Sequence, residues 1–302
     1  MPAIRRLPAA LSDVAAVDAP SDDAVTRPPA GIDAVDAAGV PADADPPEGD
    51  ADRRDHVAGL DKGLAVLQAF DQERSRLTIA DVAARTQLSR AAARRYLLTL
   101  TRLGYIDHDG KGFALTARLL RLGQGYMRSG RLPRIIQPVL NKLALTLQEA
   151  SSAGVLDGAD VISVAATTGG RIVSTTLQPG THVPAYCTAN GRVLLAGLAP
   201  AELDAWLARH ADGFRALTPR TLVTPAALTS EITRARAQGY AQVDEEFETG
   251  LRTLAVPITN RLGQVQAALN VSVHSARVRA QDLPGRALPL LMQVQNELKG
   301  LL

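Results

Sequence analysis

The sequence predicts an α+β chain: an N-terminal winged helix-turn-helix, a linker helix, and a larger C-terminal α/β domain. Three observations carry this reading. Charge is uneven along the 302 residues: residues 1–55 hold five Arg against twelve Asp/Glu, residues 56–132 thirteen Lys/Arg against six, and the remainder fifteen against thirteen. The basic segment reads helix, helix, tight turn, helix, hairpin, which is the winged-helix order. The last 170 or so residues alternate helical and strand periodicities. The expected organisation is therefore a tail at 1–55, a winged helix at 56–116, a linker helix at 117–132 and a ligand-sensor-sized domain at 133–302.

The tail holds eight of the eighteen prolines and no aromatic residue, so it is expected to be disordered. LDKGLAVLQAF then sets Leu60, Leu64, Leu67 and Phe70 at helical spacing. Thr78 is expected to cap the helix IADVAART, with Asp81 three residues on. Gln87 and Leu88 make a tight turn, and Ser89 caps a helix that runs to Gly104. Ala93, Leu97 and Leu100 face inward there, while Arg90, Arg94 and Arg95 face outward. YIDHDGKGFAL is a hairpin turning at Asp109-Gly110. In TARLLRLGQGYMRSGR, Leu119, Leu122 and Tyr126 form one stripe of a linker helix or dimer contact.

The function classes narrow in step. Ten aromatic residues in 302 argue against a stacking platform for single-stranded nucleic acid. One Cys excludes a disulfide framework and a multi-cysteine zinc site. No segment has the apolar length of a membrane span or a signal peptide, so the expectation is a cytoplasmic protein without a membrane partner or cofactor. A recognition helix reads the major groove with its first turns, so Ser89, Arg90, Ala91, Arg94 and Arg95 are the candidate DNA contacts. Thr78 and nearby amides are candidates for a phosphate, and Lys111 at the hairpin tip for the adjacent backbone. The plain alternative is a three-helix subdomain with solvated arginines.

In the second domain, Cys187 with His182 five residues earlier lacks a recognisable oxyanion arrangement, so cysteine catalysis is not expected. Asp244, Glu245, Glu246 and Glu248 are expected to be solvated strand-edge acids. The chain entering the helix at Gly191 offers free amides to a carboxylate. Asn270 and Ser272, at i and i+2, share one strand face and can both point into a pocket. Arg171 is either a carboxylate clamp or a surface strand-edge arginine.

GLAVLQAF, LTIADVAARTQLSRAAARRYLLTLTRLGYI and FALTARLLRLG together resemble the DNA-binding domain of the IclR family of bacterial transcription regulators. PAYCTANGRVLLAGL, RAQGYAQVDEEFETGLRTLAVPI and AALNVSVHSARV extend the resemblance to the C-terminus. SRAAARR and PAYCT resemble the branch that regulates the β-ketoadipate pathway. The resemblance implies a GAF-like effector domain, a homodimer or tetramer, double-stranded operator DNA as partner, RNA polymerase as a further candidate partner, and mostly activation. It places the effector, a small carboxylate such as p-hydroxybenzoate, protocatechuate or β-ketoadipate, against Tyr186, Thr188, Ala189, Asn190, Thr253, Asn270 and Ser272. Many relatives carry Ser-Met-Gly where this chain has Ala189-Asn190-Gly191, and Arg252 of the shared Gly-Leu-Arg reads as structural. An enzyme with an accessory winged helix and a protein-binding scaffold are the competing classes. A turnover assay on aromatic acids separates the first from a regulator, and DNA titration at two salt concentrations separates the second.

One expectation concerns the tail directly. With no apolar periodicity and a strong negative charge, residues 1–55 join no core and repel phosphates. A chain beginning at His56 should fold and bind operator DNA at least as tightly as the full chain. A large loss of affinity in a fluorescence anisotropy titration would refute this.

Overall fold

The computed structural model describes residues 56–70, 74–168 and 177–302. The tail, Arg171 and most of the strand expected at 171–178 lie outside them.

Helices α1 (Ala58–Gln68), α2 (Ile79–Thr86) and α3 (Arg90–Arg102) precede a hairpin of β1 (Ile106–His108) and β2 (Phe113–Leu115). Leu77 bridges to Phe113 and adds a rung to the hairpin. Val66, Leu77, Val82, Ala93, Leu97, Ile106 and Phe113 form the core of this part. Local chemistry sets each boundary. Thr78 and Asp81 form a capping box, and Ser89 Oγ accepts from Ala92 N at 3.2 Å. Gln87 sits at φ +55°, a left-handed residue that closes the turn between α2 and α3.

The α1 stripe is covered only in part: Leu67 and Phe70 pack against this core. Leu60 is 63% and Leu64 48% exposed, and of this helix only Val66 is buried. Helix α4 (Leu120–Ser129) buries none of its residues, leaving Leu120, Leu122 and Tyr126 exposed.

Helix α5 (Arg131–Leu147) leads into a six-stranded antiparallel sheet of order β5-β4-β3-β8-β7-β6. The strands are β3 (Ala150–Asp157), β4 (Asp160–Thr167), β5 (His182–Pro184), β6 (Ala241–Asp244), β7 (Leu251–Thr259) and β8 (Val265–His274). Helices α6 (Ala189–Ala196), α7 (Pro200–His210) and α8 (Pro225–Gln238) lie between β5 and β6, and α9 (Leu283–Lys299) closes the chain.

Strand periodicity sorts the two faces. Leu269, Val271 and Val273 of β8 and Leu254, Val256 and Ile258 of β7 pack with α5 and α9. Their alternates Ala268 and Ala255 pack with α6, α7 and α8. Asn270, Ser272 and Thr253 stand in register with that second set, so this face holds polar groups next to α6.

Strand β3 has no counterpart among the expected strands. It is built from Ser151, Ser152, Ala153 and Gly154, residues of low strand propensity, yet it lies between β4 and β8. A Cβ on Gly154 would come within 2.4 Å of Val161 Cγ1, so the neighbouring strand's side chain demands glycine there. Among the described residues no helix is long and apolar enough to cross a membrane.

Candidate functional site

The basic surface comes first. Thr78, Arg90, Ala91, Arg94 and Lys111 line one open concavity together with Ile79, Ala80, His108 and Gly110. Arg90 and Arg94 are one helical turn apart, so they share a face of α3. Ser89 stands at its first end as the cap. Arg95 is exposed but does not line this concavity. Arg90, Arg94 and Arg95 have no acidic partner among the described residues, so their charge faces solvent. At the hairpin tip, Gly110 takes φ +88° and Asp109 Oδ1 accepts from Lys111 N and Gly112 N. Asp109 is also paired with Arg76, which offsets its charge beside Lys111.

Thr78 has a different role from the one its hydroxyl suggests. Its Oγ1 donates to Asp81 Oδ2 at 2.7 Å and accepts from Asp81 N at 3.2 Å. The hydroxyl's bond, with the Thr78 N–H that donates to Asp81 Oδ2 at 2.9 Å, holds the Asp81 carboxyl below its ordinary range. The groups free to meet a phosphate here are the amides of Ile79 and Ala80, since the first turn of a helix has no upstream acceptors.

The second site lies on the α6 face of the sheet. Thr188 caps α6: its Oγ1 accepts from Gly191 N at 3.2 Å and donates to Pro184 O at 3.0 Å. A Cβ on Gly191 would fall 2.0 Å from Ala185 O, so only glycine lets the helix start press against the preceding loop. That contact carries Thr188, Ala189 and Asn190 to the polar patch on β7 and β8. The structure brings together six expected residues, Thr188, Ala189, Asn190, Thr253, Asn270 and Ser272, around one cavity.

Asn190 is 3% exposed, and its Oδ1 has no hydrogen-bond partner. Leaving a buried carbonyl unpaired costs about 1–3 kcal/mol. Asn270 is partly committed: its Oδ1 accepts from Ser152 N at 3.0 Å and Ser152 Oγ at 2.7 Å, tying β8 to β3. Its Nδ2 reaches only Ser272 Oγ, at 3.5 Å. The open space is about 30 Å³. An enclosed apolar cavity that takes benzene measures about 150 Å³, so a ring enters only if the lining moves. Phe247 and Leu177, half-buried in that lining, are the bulky side chains able to do so.

Tyr186 does not belong to this cavity. Its hydroxyl donates to Arg215 O at 2.8 Å and accepts from Arg215 N at 3.1 Å, and its ring stacks on Phe214. The cavity instead uses Val183, Cys187, Val243, Phe247 and Leu251, which are apolar walls without a sequence signal of their own.

The remaining candidate chemistry resolves into structure. Burial pushes the Cys187 thiol up to about 12, so it is not a nucleophile at neutral pH. The acids at 244–246 are ion-paired rather than free in solvent: Glu246 is buried against Arg192, Asp244 pairs with Arg252 and Arg220, and Glu245 with Arg220. They counter guanidiniums that arrive from α6, β7 and the 214–224 loop. Arg252, 7% exposed, also donates to the Val278 carbonyl, a structural anchor. Among the described residues no group of His, Cys, Asp and Glu is placed to hold a metal ion.

Residues 59–110 match the IclR helix-turn-helix domain, and residues 124–296 match the bacterial transcriptional regulator IclR C-terminal domain. The chain is 43% identical over 245 residues to the Pca regulon regulatory protein of Pseudomonas putida, covering 81% of this chain and 84% of that one. It is 39% identical over 252 residues to the p-hydroxybenzoate hydroxylase transcriptional activator of Acinetobacter baylyi, covering 82% and 92%. A solved double mutant of the PobR inducer-binding domain from Acinetobacter, in complex with 3-hydroxybenzoic acid, is 32% identical with a TM-score of 0.53, covering 56% of this chain and 98% of that one.

Proposed function

The chain belongs to the IclR family of bacterial transcriptional regulators, a DNA-binding regulator and not an enzyme, and from there we propose that it controls aromatic-acid catabolism genes as an activator that senses a small carboxylate. The candidate effectors are p-hydroxybenzoate, protocatechuate and β-ketoadipate. The observation that carries the sensing role is the buried, unpaired Asn190 carbonyl beside Thr253, Asn270 and Ser272 in one cavity. A hydroxyl or bound water on the effector meets that carbonyl, while the first-turn amides of α6, Asn270 Nδ2 and the Ser272 hydroxyl serve its carboxylate. Because the cavity is too small for a ring as it stands, binding and opening are one event. A ligand that favours the open form shifts the whole domain by that difference in affinity.

On this reading α3 enters the major groove of operator DNA, and Lys111 with the α2 amides meets phosphates. Arg171 is kept as a candidate carboxylate clamp. The exposed apolar residues of α1 and α4 supply a homodimer contact, with a tetramer as the larger assembly. RNA polymerase is the further partner of an activator, and the protein acts in the cytoplasm. The divisions at 56–116, 117–132 and 133–302 serve as the functional units.

Calorimetry on the full chain tests the cavity. Asn270→Val would also strand Ser152, so Asn190→Ala and Ser272→Ala are the cleaner variants. Each should weaken binding of the responding carboxylate about tenfold, the worth of one hydrogen bond. DNA affinity without effector should stay at the parent value. Parent-like effector binding in both variants would place the site elsewhere.

A further inference from the structure

A second cavity lies beside the first, and the 183–188 segment divides them: Val183, Cys187 and Thr188 line one, Pro184 and Tyr186 the other. Its open space is about 190 Å³. Tyr186, Trp206 and Phe214 line it, three of only ten Phe, Tyr and Trp in the chain. Tyr186 and Phe214 stack with centroids 4.8 Å apart, and Trp206 lies 6.0 Å from Phe214 and 5.1 Å from the His210 ring.

Polar accounting leaves one free group among these rings. The Tyr186 hydroxyl is used in both directions by the Arg215 backbone, and Trp206 Nε1 donates to Gly158 O at 2.7 Å. His210 Nε2 is buried and has no partner. Asp160 and Arg215 also line the space, and their formal charges cancel. An apolar cavity of about 150 Å³ holds a benzene ring and stays dry, and a buried water needs two to four polar partners. This one is somewhat larger, and His210 Nε2 is its one free ring group.

We propose that this cavity is a binding site for a neutral single-ring phenol, its ring packed against Trp206 and Phe214 and its hydroxyl hydrogen-bonded to His210 Nε2. A hydroxyl both donates and accepts, so it pairs with Nε2 whether or not that nitrogen carries a hydrogen. An anion would face the Asp160 carboxylate, whose formal charge already offsets that of Arg215 in the lining. The site is distinct from the effector cavity, and nothing in the argument for it depends on that one.

Trp206 is the only tryptophan, so its emission reports this cavity directly. The full chain is titrated with phenol itself. Saturable quenching is expected, with the midpoint raised about tenfold in His210→Phe, which keeps a ring but loses the hydrogen bond. A Cβ on Gly213 meets nothing within 4 Å, and Gly213 lines the space, so Gly213→Leu should grow into it and abolish saturation. Asn190→Ala, in the other cavity, should titrate like the parent. A parent response that is linear in phenol overturns the proposal without any variant. So does saturation that survives Gly213→Leu, or a midpoint that rises in Asn190→Ala.

Discussion

Replacing Arg90 and Arg94 together by alanine is expected to weaken operator binding on the order of 30-fold per protomer at physiological salt. Both line the concavity between α2, α3 and the hairpin, and neither has an acidic partner among the described residues. If each meets one phosphate, the slope of log K against log salt should fall by about 2 per protomer. If one reads a guanine edge instead, about 1–3 kcal/mol of discrimination at that base is lost with it. Both side chains are exposed, so folding should be unaffected. Arg95, outside the concavity, should cost clearly less when replaced alone. Anisotropy titrations at two salt concentrations check all three statements. Unchanged binding by a folded double variant would show that α3 is not the reading helix.

Arg192→Met should lower stability by about 3–5 kcal/mol, because it strands a buried carboxylate. Arg192 is 1% exposed, bonded to Glu246 and 3.8 Å from Glu231. Burial holds the Glu246 carboxyl above its ordinary value even with Arg192 beside it. A carboxyl raised in this way binds its proton more tightly folded than unfolded. Its contribution therefore falls as pH rises above about 4.5, its ordinary value. Removing Arg192 raises the carboxyl further, so the variant should regain stability as pH is lowered. Adding Glu246→Leu should recover most of the loss, since a buried pair replaced by apolar groups is often neutral. Urea denaturation of the parent and both variants between pH 5 and 8 measures this. A single variant as stable as the parent would mean that Glu246 has found water.

How much of this was legible in advance depends on how local each signal is. The caps Thr78 and Ser89, the turn at Gln87 and the hairpin at Asp109-Gly110 are set by neighbouring residues, and they stand where the sequence places them. Period-2 alternation likewise put Asn270 and Ser272 on one face. Other features depend on distant partners. Helical spacing marks Leu60 and Leu64 as an apolar face but does not say what covers it. Strand β3 escapes notice because small residues suit its place between close neighbours, not its own propensity. Tyr186 is two residues from Thr188 yet faces the other way, held by the Arg215 backbone and the Phe214 ring. The acidic run reads as solvated until Arg192, Arg220 and Arg252 are brought to it by the fold.

The most direct test of a carboxylate-sensing DNA regulator is one titration performed with and without ligand. The full chain is titrated onto DNA from upstream of aromatic-acid catabolism genes, with p-hydroxybenzoate, protocatechuate or β-ketoadipate added in turn. Specific binding should exceed binding to scrambled DNA by at least about 10³-fold at physiological salt. One of the three compounds should shift the DNA affinity by about 5–150-fold, the usual range of coupling between two sites. Ser272→Ala should move that shift to higher ligand concentration without altering its size at saturation. Binding that does not distinguish the DNA sequences, or that none of the three compounds shifts, would contradict the account.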